Sequence, residues 1–262
     1  MNGARGSAAA APAPVRVAVP WKDAVRAILR RRGYDLVHHP LRAMLARRGI
    51  ETVIDVGAHE GGYGRDLRAM GYRGRIVSFE PLAASHAALA RAAAADPLWT
   101  THAVALGAAA GTGTLHVGIE TATSSLLPVL GATVAIEPEA AVTHREGVAV
   151  QTLDDLFGAV VARASGPVLF KIDTQGSEGA VLDGAAATLA RTDATYTGAP
   201  RIDALQVEVS FAPLYAGQPL AGEIIERLRG AGFGLVGLEH GFIDPATHRL
   251  LQADAFFERV AA

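Results

Sequence analysis

The amino-acid sequence predicts an α/β fold: a doubly wound, mostly parallel sheet with helices on both faces. Three observations carry this. From residue 52 onward, short apolar runs alternate with stretches of helical spacing. Two of the runs, Thr52–Val56 and Val168–Ile172, are almost continuously apolar, as strands covered on both faces must be. The first opens directly into a glycine-rich turn, Asp55-Val-Gly57-Ala-His59-Glu60-Gly61-Gly62-Tyr63, the kind of join that lies beside the ligand crevice of such sheets.

Before that domain the chain is different. Residues 1–20 are rich in Ala, Gly and Pro and lack the continuous apolar core of a secretory signal, so a disordered tail is expected. Residues 21–50 form a helical appendage. Val25, Ile28 and Leu29 give Trp21–Arg32 a helical period that Gly33 stops, and a second helix covers Pro40–Arg48 and ends at Gly49. Arg30-Arg31-Arg32 and Arg47-Arg48 read as solvated helix ends, where cations complement the helix dipole.

Residues 51–262 then carry the α/β pattern. The strand Thr52–Val56 leads to a helix over Gly62–Met70, and the strand Arg75–Phe79 to an alanine-rich helix over Ala83–Ala95. A third strand is expected at Thr100–Ala105. Thr112–Ile119 alternates like a hairpin partner outside the parallel core. Thr121–Glu146 holds Pro128 and Pro138 and has no clean period, and long irregular segments in compact domains are often functional, so it is read as an insertion or a lid over the site. A short strand Val148–Val150 precedes a helix Leu153–Ala162 capped by Thr152 or Asp154. The strand Val168–Ile172, interrupted only by Lys171, precedes a helix over Gly179–Ala190. The strand Ala204–Val209 precedes a helix over Leu220–Ala231. Phe233–Leu238 and Gln252–Phe257 close the chain with no helix between them, which places one antiparallel strand near the sheet edge.

Composition excludes several function classes. With 24 Lys and Arg against 26 Asp and Glu, the net charge of −2 offers no positive face for nucleic acid. The absence of cysteine removes disulfides, zinc–thiolate sites and a cysteine nucleophile, and fits a reducing, cytoplasmic setting. No apolar run approaches the roughly 18–20 residues of a membrane span, so no membrane partner is expected. The apolar final strands read equally as buried core or as the edge of a homodimer.

In a sheet of this kind the ligand lies beyond the carboxyl ends of the strands, so the residues there carry the chemistry. Gly57 is followed two residues later by His59, so the G-x-G-x-x-G pattern that seats a dinucleotide pyrophosphate fails. What stands here is D-x-G-x-x-x-G. Glu80, closing the second strand, suits the two hydroxyls of a ribose. Asp55 suits the turn's amides or a ligand amino group, and Gly57 and Gly61 permit close backbone approach. Asp173 follows the central strand in Lys171-Ile-Asp-Thr-Gln-Gly-Ser-Glu178, and Glu208 closes the neighbouring strand. Buried strand ends do not carry carboxylates without a partner or a task. An alcohol nucleophile must lose its proton to a base or on a metal, and this pair could serve either way. Two carboxylates, a Gln oxygen and waters would suit magnesium, the less favoured reading.

With these pieces in order, the chain resembles the FkbM family of S-adenosylmethionine-dependent methyltransferases over roughly residues 33–259. The matching residues are Val53–Tyr63, Phe79-Glu-Pro81, Ala105-Leu-Gly107 with Gly111, Ser124-Ser125-Leu126, Val150–Asp154 and, most strongly, Leu169–Glu178 with Val181-Leu182 and Gly184. Val207–Ser210, Pro213-Leu-Tyr215, Gly217–Leu220 and Leu251–Asp254 extend the match. The resemblance implies a seven-stranded Rossmann-like sheet of the class I methyltransferase type. It implies S-adenosylmethionine as cofactor and O-methylation of a hydroxyl on a sugar, polyketide or related natural product. It implies that Asp55, Gly57, His59, Glu60, Gly61, Tyr63, Glu80, Pro81, Ser124, Ser125 and Asp173 surround the cofactor, with Asp173 and Glu208 near the transfer point. His59 departs from the asparagine expected in that turn, and Thr174-Gln175 stands where many relatives have Val-Glu. A nicotinamide-dependent oxidoreductase and a non-catalytic cofactor-binding module are the competing readings. The missing second glycine and the lack of a Tyr-x-x-x-Lys pattern count against the first. Intact acids at several strand ends count against the second. Acceptor specificity is expected in the N-terminal helices, the Thr121–Glu146 segment and the Gly241–His248 loop.

Overall fold

The computed structural model describes residues 20–32, 40–162, 166–191 and 200–260. The tail of residues 1–19, Gly33 and the last two residues lie outside them. The chain divides into two units, residues 1–38 and 39–262. The first contributes α1 (Pro20–Arg30), a helix on which Val25 and Ile28 are exposed.

The second unit begins with α2 (Pro40–Arg48), so this helix belongs to the α/β body and not to an appendage of residues 21–50. Leu41 and Met44 explain why: both are buried in one cluster with Ile50 and Val53. Arg47 is exposed, as expected of a helix end, and Arg48 is half-buried. Both pair with Glu258, Arg48 Nε at 2.9 Å from Glu258 Oε2, and Arg48 also donates to the carbonyl of Arg259.

Seven strands form the main sheet. They are β1 (Thr52–Val56), β2 (Arg75–Phe79), β3 (Trp99–His102), β7 (Pro167–Ile172), β8 (Arg201–Ser210), β9 (Phe233–His240) and β10 (Gln252–Arg259). Their order is β3-β2-β1-β7-β8-β10-β9, and β10 is antiparallel to both neighbours while the other pairings are parallel. The strand order therefore reverses between β1 and β7, the switch point at which such sheets open a crevice. Side chains alternate between faces. Ile54, Val56, Phe79, Phe170 and Ile172 face α6 (Leu153–Val160), α7 (Glu178–Asp183), α8 (Ala186–Leu189) and α9 (Ala221–Gly230). Val53, Ile76 and Leu169 face α2, α3 (Gly62–Ala69) and α4 (Ala83–Ala93).

Three local expectations change. The third strand stops at His102, whose ring stacks on Phe79 at 4.9 Å. Ala105 and Leu106 form β4 in a separate three-stranded sheet with β5 (Gly111–Gly118) and β6 (Val142–Gln151). The strand expected at Val148–Val150 is thus the end of a ten-residue β6. The segment between β5 and β6 is partly ordered, with 3-10 turns at Thr121–Thr123 and Pro138–Ala140 and helix α5 (Gly131–Ile136). The helix expected over Gly179–Ala190 breaks into α7 and α8 at Gly184. A Cβ there would lie 2.0 Å from the carbonyl oxygen of Gly107. Asp154 caps α8 from outside, accepting from the amides of Ala187 and Thr188, while Thr152 caps α6.

Candidate functional site

A cleft of about 770 Å³, counted with its open mouth, lies at the carboxyl ends of β1, β2 and β7. Its floor is built by backbone contact. Gly57, just after β1, has φ +75°, and a Cβ on it would stand 1.7 Å from the carbonyl oxygen of Asp173. Only glycine meets both demands, so the turn after β1 and the loop after β7 touch directly. The turn then bends through His59 (φ 48°), which aims the His59 amide at Glu80.

Glu80 is 7% exposed and lines the cleft. Its Oε2 accepts from the His59 amide at 2.9 Å and its Oε1 from the Leu82 amide at 2.8 Å. Burial pushes its carboxyl up from the usual range, and the two amides, His59 and Lys171 oppose that shift. A carboxylate offers about four acceptor positions, so roughly two remain for hydroxyls from the cleft.

Asp55 is placed elsewhere. It is fully buried on the α3 side of the sheet, paired across β1 with Lys171 and Ser78. Lys171 Nζ lies 3.1 Å from Asp55 Oδ1, 3.4 Å from Asp173 Oδ2 and 3.3 Å from the carbonyl oxygen of Gly57. Ser78 Oγ donates to Asp55 and accepts from Trp99 Nε1. Burial pulls the Lys171 ammonium down, but Asp55 and Asp173 overcome it and hold the group protonated. Glu60, Gly61 and Tyr63 also lie away from the cleft lining. Glu60 is exposed, Gly61 packs on Leu89 and Trp99, and the Tyr63 hydroxyl donates to Gln206 beneath Lys171. Past His59 the turn leads away from the cleft, with Glu60 toward solvent and Gly61 and Tyr63 toward the packed side of the sheet. Gly57, His59, Glu80, Pro81, Ser124, Ser125 and Asp173 do line the cleft.

Asp173 and Glu208 are brought together by a residue the sequence reading did not assign. Gln175 Nε2 donates to Asp173 Oδ1 and to Glu208 Oε2, each at 3.0 Å, and Gln252 Nε2 donates to Glu208 Oε2 at 2.7 Å. Asp173 reaches the cleft; Glu208 lies behind Gln175 and does not line it. Burial, then Asp173, Glu178 and Asp254, push the Glu208 carboxyl well up, against Lys171. Gln175 holds a left-handed backbone (φ 53°). Glu178 fastens that loop, its Oε1 accepting from the amides of Thr174 and Gly176 and the Thr174 hydroxyl. Burial pushes Glu178 up to about 7.

The segment expected as a lid forms one wall. Thr121 Oγ1 lies 2.7 Å from His59 Nε2, and Ser125 Oγ donates to the Gln175 carbonyl at 2.6 Å. The Tyr215 hydroxyl stands 3.0 Å from the Thr123 carbonyl and 3.1 Å from Gln175 Oε1. Farther on, Leu130 and Thr133 donate to the Leu214 carbonyl. The Gly241–His248 loop is absent from the lining and is held by Asp244, which accepts from Ala246 and Thr247. Lys171 carried a signal that could have found it, since a lysine inside a buried apolar strand needs a carboxylate partner. Gln175 was marked by its departure from the Glu of many relatives, and Tyr215 by its place in the matching run Pro213-Leu-Tyr215. Among the described residues, no group of three or more His, Asp or Glu side chains could hold a metal ion, and no helix is long and apolar enough to cross a membrane.

The sheet order and the cleft at its switch point define a Rossmann-like α/β fold of the class I methyltransferase type. Residues 55–235 match the methyltransferase FkbM domain, and the chain belongs to that family. It is a methyltransferase dependent on S-adenosylmethionine. Among solved structures it is similar to a candidate methyltransferase from Thermobifida fusca YX, at 13% identity over 92% of this chain and 82% of that one, TM-score 0.46. A candidate S-adenosylmethionine-dependent methyltransferase from Listeria monocytogenes shares 11% identity over 80% and 92%, TM-score 0.42. An rRNA methylase from Streptococcus thermophilus shares 9% over 86% and 99%, TM-score 0.44. A comparison with curated protein sequences finds no match. The cleft fits the cofactor on its own chemistry: a floor where Gly57 lets the β1 turn meet the β7 loop, a buried carboxylate with free acceptor positions, and apolar walls from Phe79, Leu106 and Leu126.

Proposed function

We propose that the protein is an O-methyltransferase acting on a hydroxyl of a small natural product, a sugar or polyketide. The observation that carries this reading is the Asp173–Gln175–Glu208 bridge beside the cleft. When bound, S-adenosylmethionine supplies an electrophilic methyl group, and an alcohol that takes it must give up its proton. Asp173 lines the cleft and orients the hydroxyl, and the bridged pair receives that proton. Glu80 holds the ribose hydroxyls, and Gly57 lets the methionine portion approach the backbone. Thr121 and Ser125 tie the wall to the His59 turn and the Gln175 loop. The net charge of −2 favours a small neutral or cationic acceptor over nucleic acid.

The experiment is a two-stage assay. Calorimetric titration with S-adenosylmethionine, and with NAD and NADP as controls, comes first. We expect micromolar binding of the sulfur ligand alone, reduced at least about tenfold by Glu80→Ala, the scale of a lost charge-assisted hydrogen-bond pair. A panel of hydroxylated acceptors with labelled cofactor then follows. Methyl ethers are the expected products. Label transferred only to nitrogen or carbon would refute the O-methyl reading, and unchanged affinity in Glu80→Ala would refute the ribose assignment.

A further inference from the structure

Among the described residues, acids gather at the carboxyl ends of β7 and β8 and at the start of the antiparallel β10 beside them. Glu208 on β8 faces Asp173 through the shared Gln175 amide. Asp254 lies opposite it in the antiparallel register of β10, with Glu239 of β9 next in line. Glu178 faces it from α7, and the uncharged Tyr215 hydroxyl stands on Gln175. Among the described residues, the cation that faces this group is Lys171, which sits 3.1 Å from Asp55 and 3.4 Å from Asp173. Two carboxylates bridged by one donor group repel each other, and where burial adds to that repulsion one of them keeps its proton. Of the two, Asp173 lines the cleft and Glu208 does not.

We propose that the Asp173–Gln175–Glu208 bridge holds one proton in the cofactor-free protein and releases it when a cationic ligand binds beside Asp173. The base for methyl transfer is then generated only when the methyl donor is present. This rests on the reading that places transfer at Asp173. The step is a plain ionisation: the O–H bond of the Glu208 carboxyl breaks, its electron pair stays on oxygen, and the proton passes to water. Burial and the neighbouring acids, which push Glu208 up, act in the same direction. A positive charge arriving at Asp173 offsets the repulsion between the two carboxylates. S-adenosylhomocysteine is the natural control, because it has the same nucleoside and amino-acid parts and a neutral sulfur.

The test is calorimetry of the full chain with S-adenosylmethionine and S-adenosylhomocysteine, near neutral pH, in buffers of different ionisation heat. S-adenosylmethionine should release a proton that S-adenosylhomocysteine does not. Its affinity should rise with pH by up to about tenfold per unit while the bridge still holds its proton, against a flat profile for the neutral ligand. Glu208→Gln should bind and abolish the release, and Asp254→Asn should move the pH dependence downward. Equal proton counts for the two ligands, or undiminished release in Glu208→Gln, would overturn the inference. If Glu208→Gln does not fold, the contrast between the two ligands on the wild-type chain decides the matter. Proton release that survives while no hydroxyl acceptor is methylated would strike the O-methyl reading alone.

Discussion

Lys171 stands 3.1 Å from Asp55 across the pairing of β1 with β7, and both side chains are buried. The sequence reading sent Asp55 to the cofactor; the structure gives it to a lysine. That ion pair lies under the glycine turn and supports it, since the same ammonium is 3.3 Å from the Gly57 carbonyl.

Removing one partner of a buried pair strands the other. We expect Lys171→Met to cost about 3–5 kcal/mol of stability, and Asp55→Asn combined with Lys171→Met to recover most of it. Urea unfolding of the two variants checks this. Equal losses in both would mean that Asp55 is not the charge Lys171 serves.

Gly57 and Gly217 both have positive φ, but only Gly57 has an atom in the way of a Cβ. Gly217→Ala should therefore cost about 1 kcal/mol, the conformational penalty alone. Gly57→Ala should cost more than about 3 kcal/mol and abolish cofactor binding, because the Asp173 carbonyl must move. Thermal melts with and without S-adenosylmethionine compare them. Similar losses would separate the β1 turn from the β7 loop.

Glu178 is held at about 7 in the folded chain, above its ordinary value of 4.5. The folded state binds this proton more tightly than the unfolded one, so the group's contribution falls as pH rises from about 4.5 to about 7. Glu178→Gln keeps an acceptor for Thr174 and Gly176 and has no charge to bury. We expect it to melt higher than the parent at pH 8 and to lose that advantage near pH 5. A constant difference across this range would contradict the assignment.

Tyr215→Phe removes the hydroxyl that spans the wall residue Thr123 and the Gln175 side chain. A loss of about 1 kcal/mol in stability is expected, with cofactor affinity falling several-fold as the wall loosens. Affinity unchanged within error would show that Ser125 alone secures the wall.

The main sheet was legible because its signals are local. Apolar runs, glycine after β1 and acids at strand ends all read directly from residues 52–80 and 168–173. The antiparallel β10 followed from the missing helix between the last two strands. What stayed hidden depends on register. Asp55 and Glu80 look alike in the sequence, each an acid where a strand ends. Asp55 is one residue inside β1, so the alternation turns it away from the cleft and onto Lys171 and Ser78. Glu80, one residue past β2, is free to turn inward. The Asp173–Glu208 pair was foreseen as neighbours, but the Gln175 amide that joins them needs a left-handed backbone that no propensity marks. The second sheet escaped because Ala105 and Leu106 are too short a run to announce a change of partner.

The contact of Gly57 with Lys171 joins residues 114 positions apart. A nascent chain that ends before β7 therefore has the glycine turn and Glu80 but no floor beneath them. Closing so long a loop is entropically expensive and comes late on the folding pathway. The cofactor accordingly has nothing to grip until the two halves of the sheet have met. Its binding stabilises the finished body as a whole and offers no foothold to a half-built one.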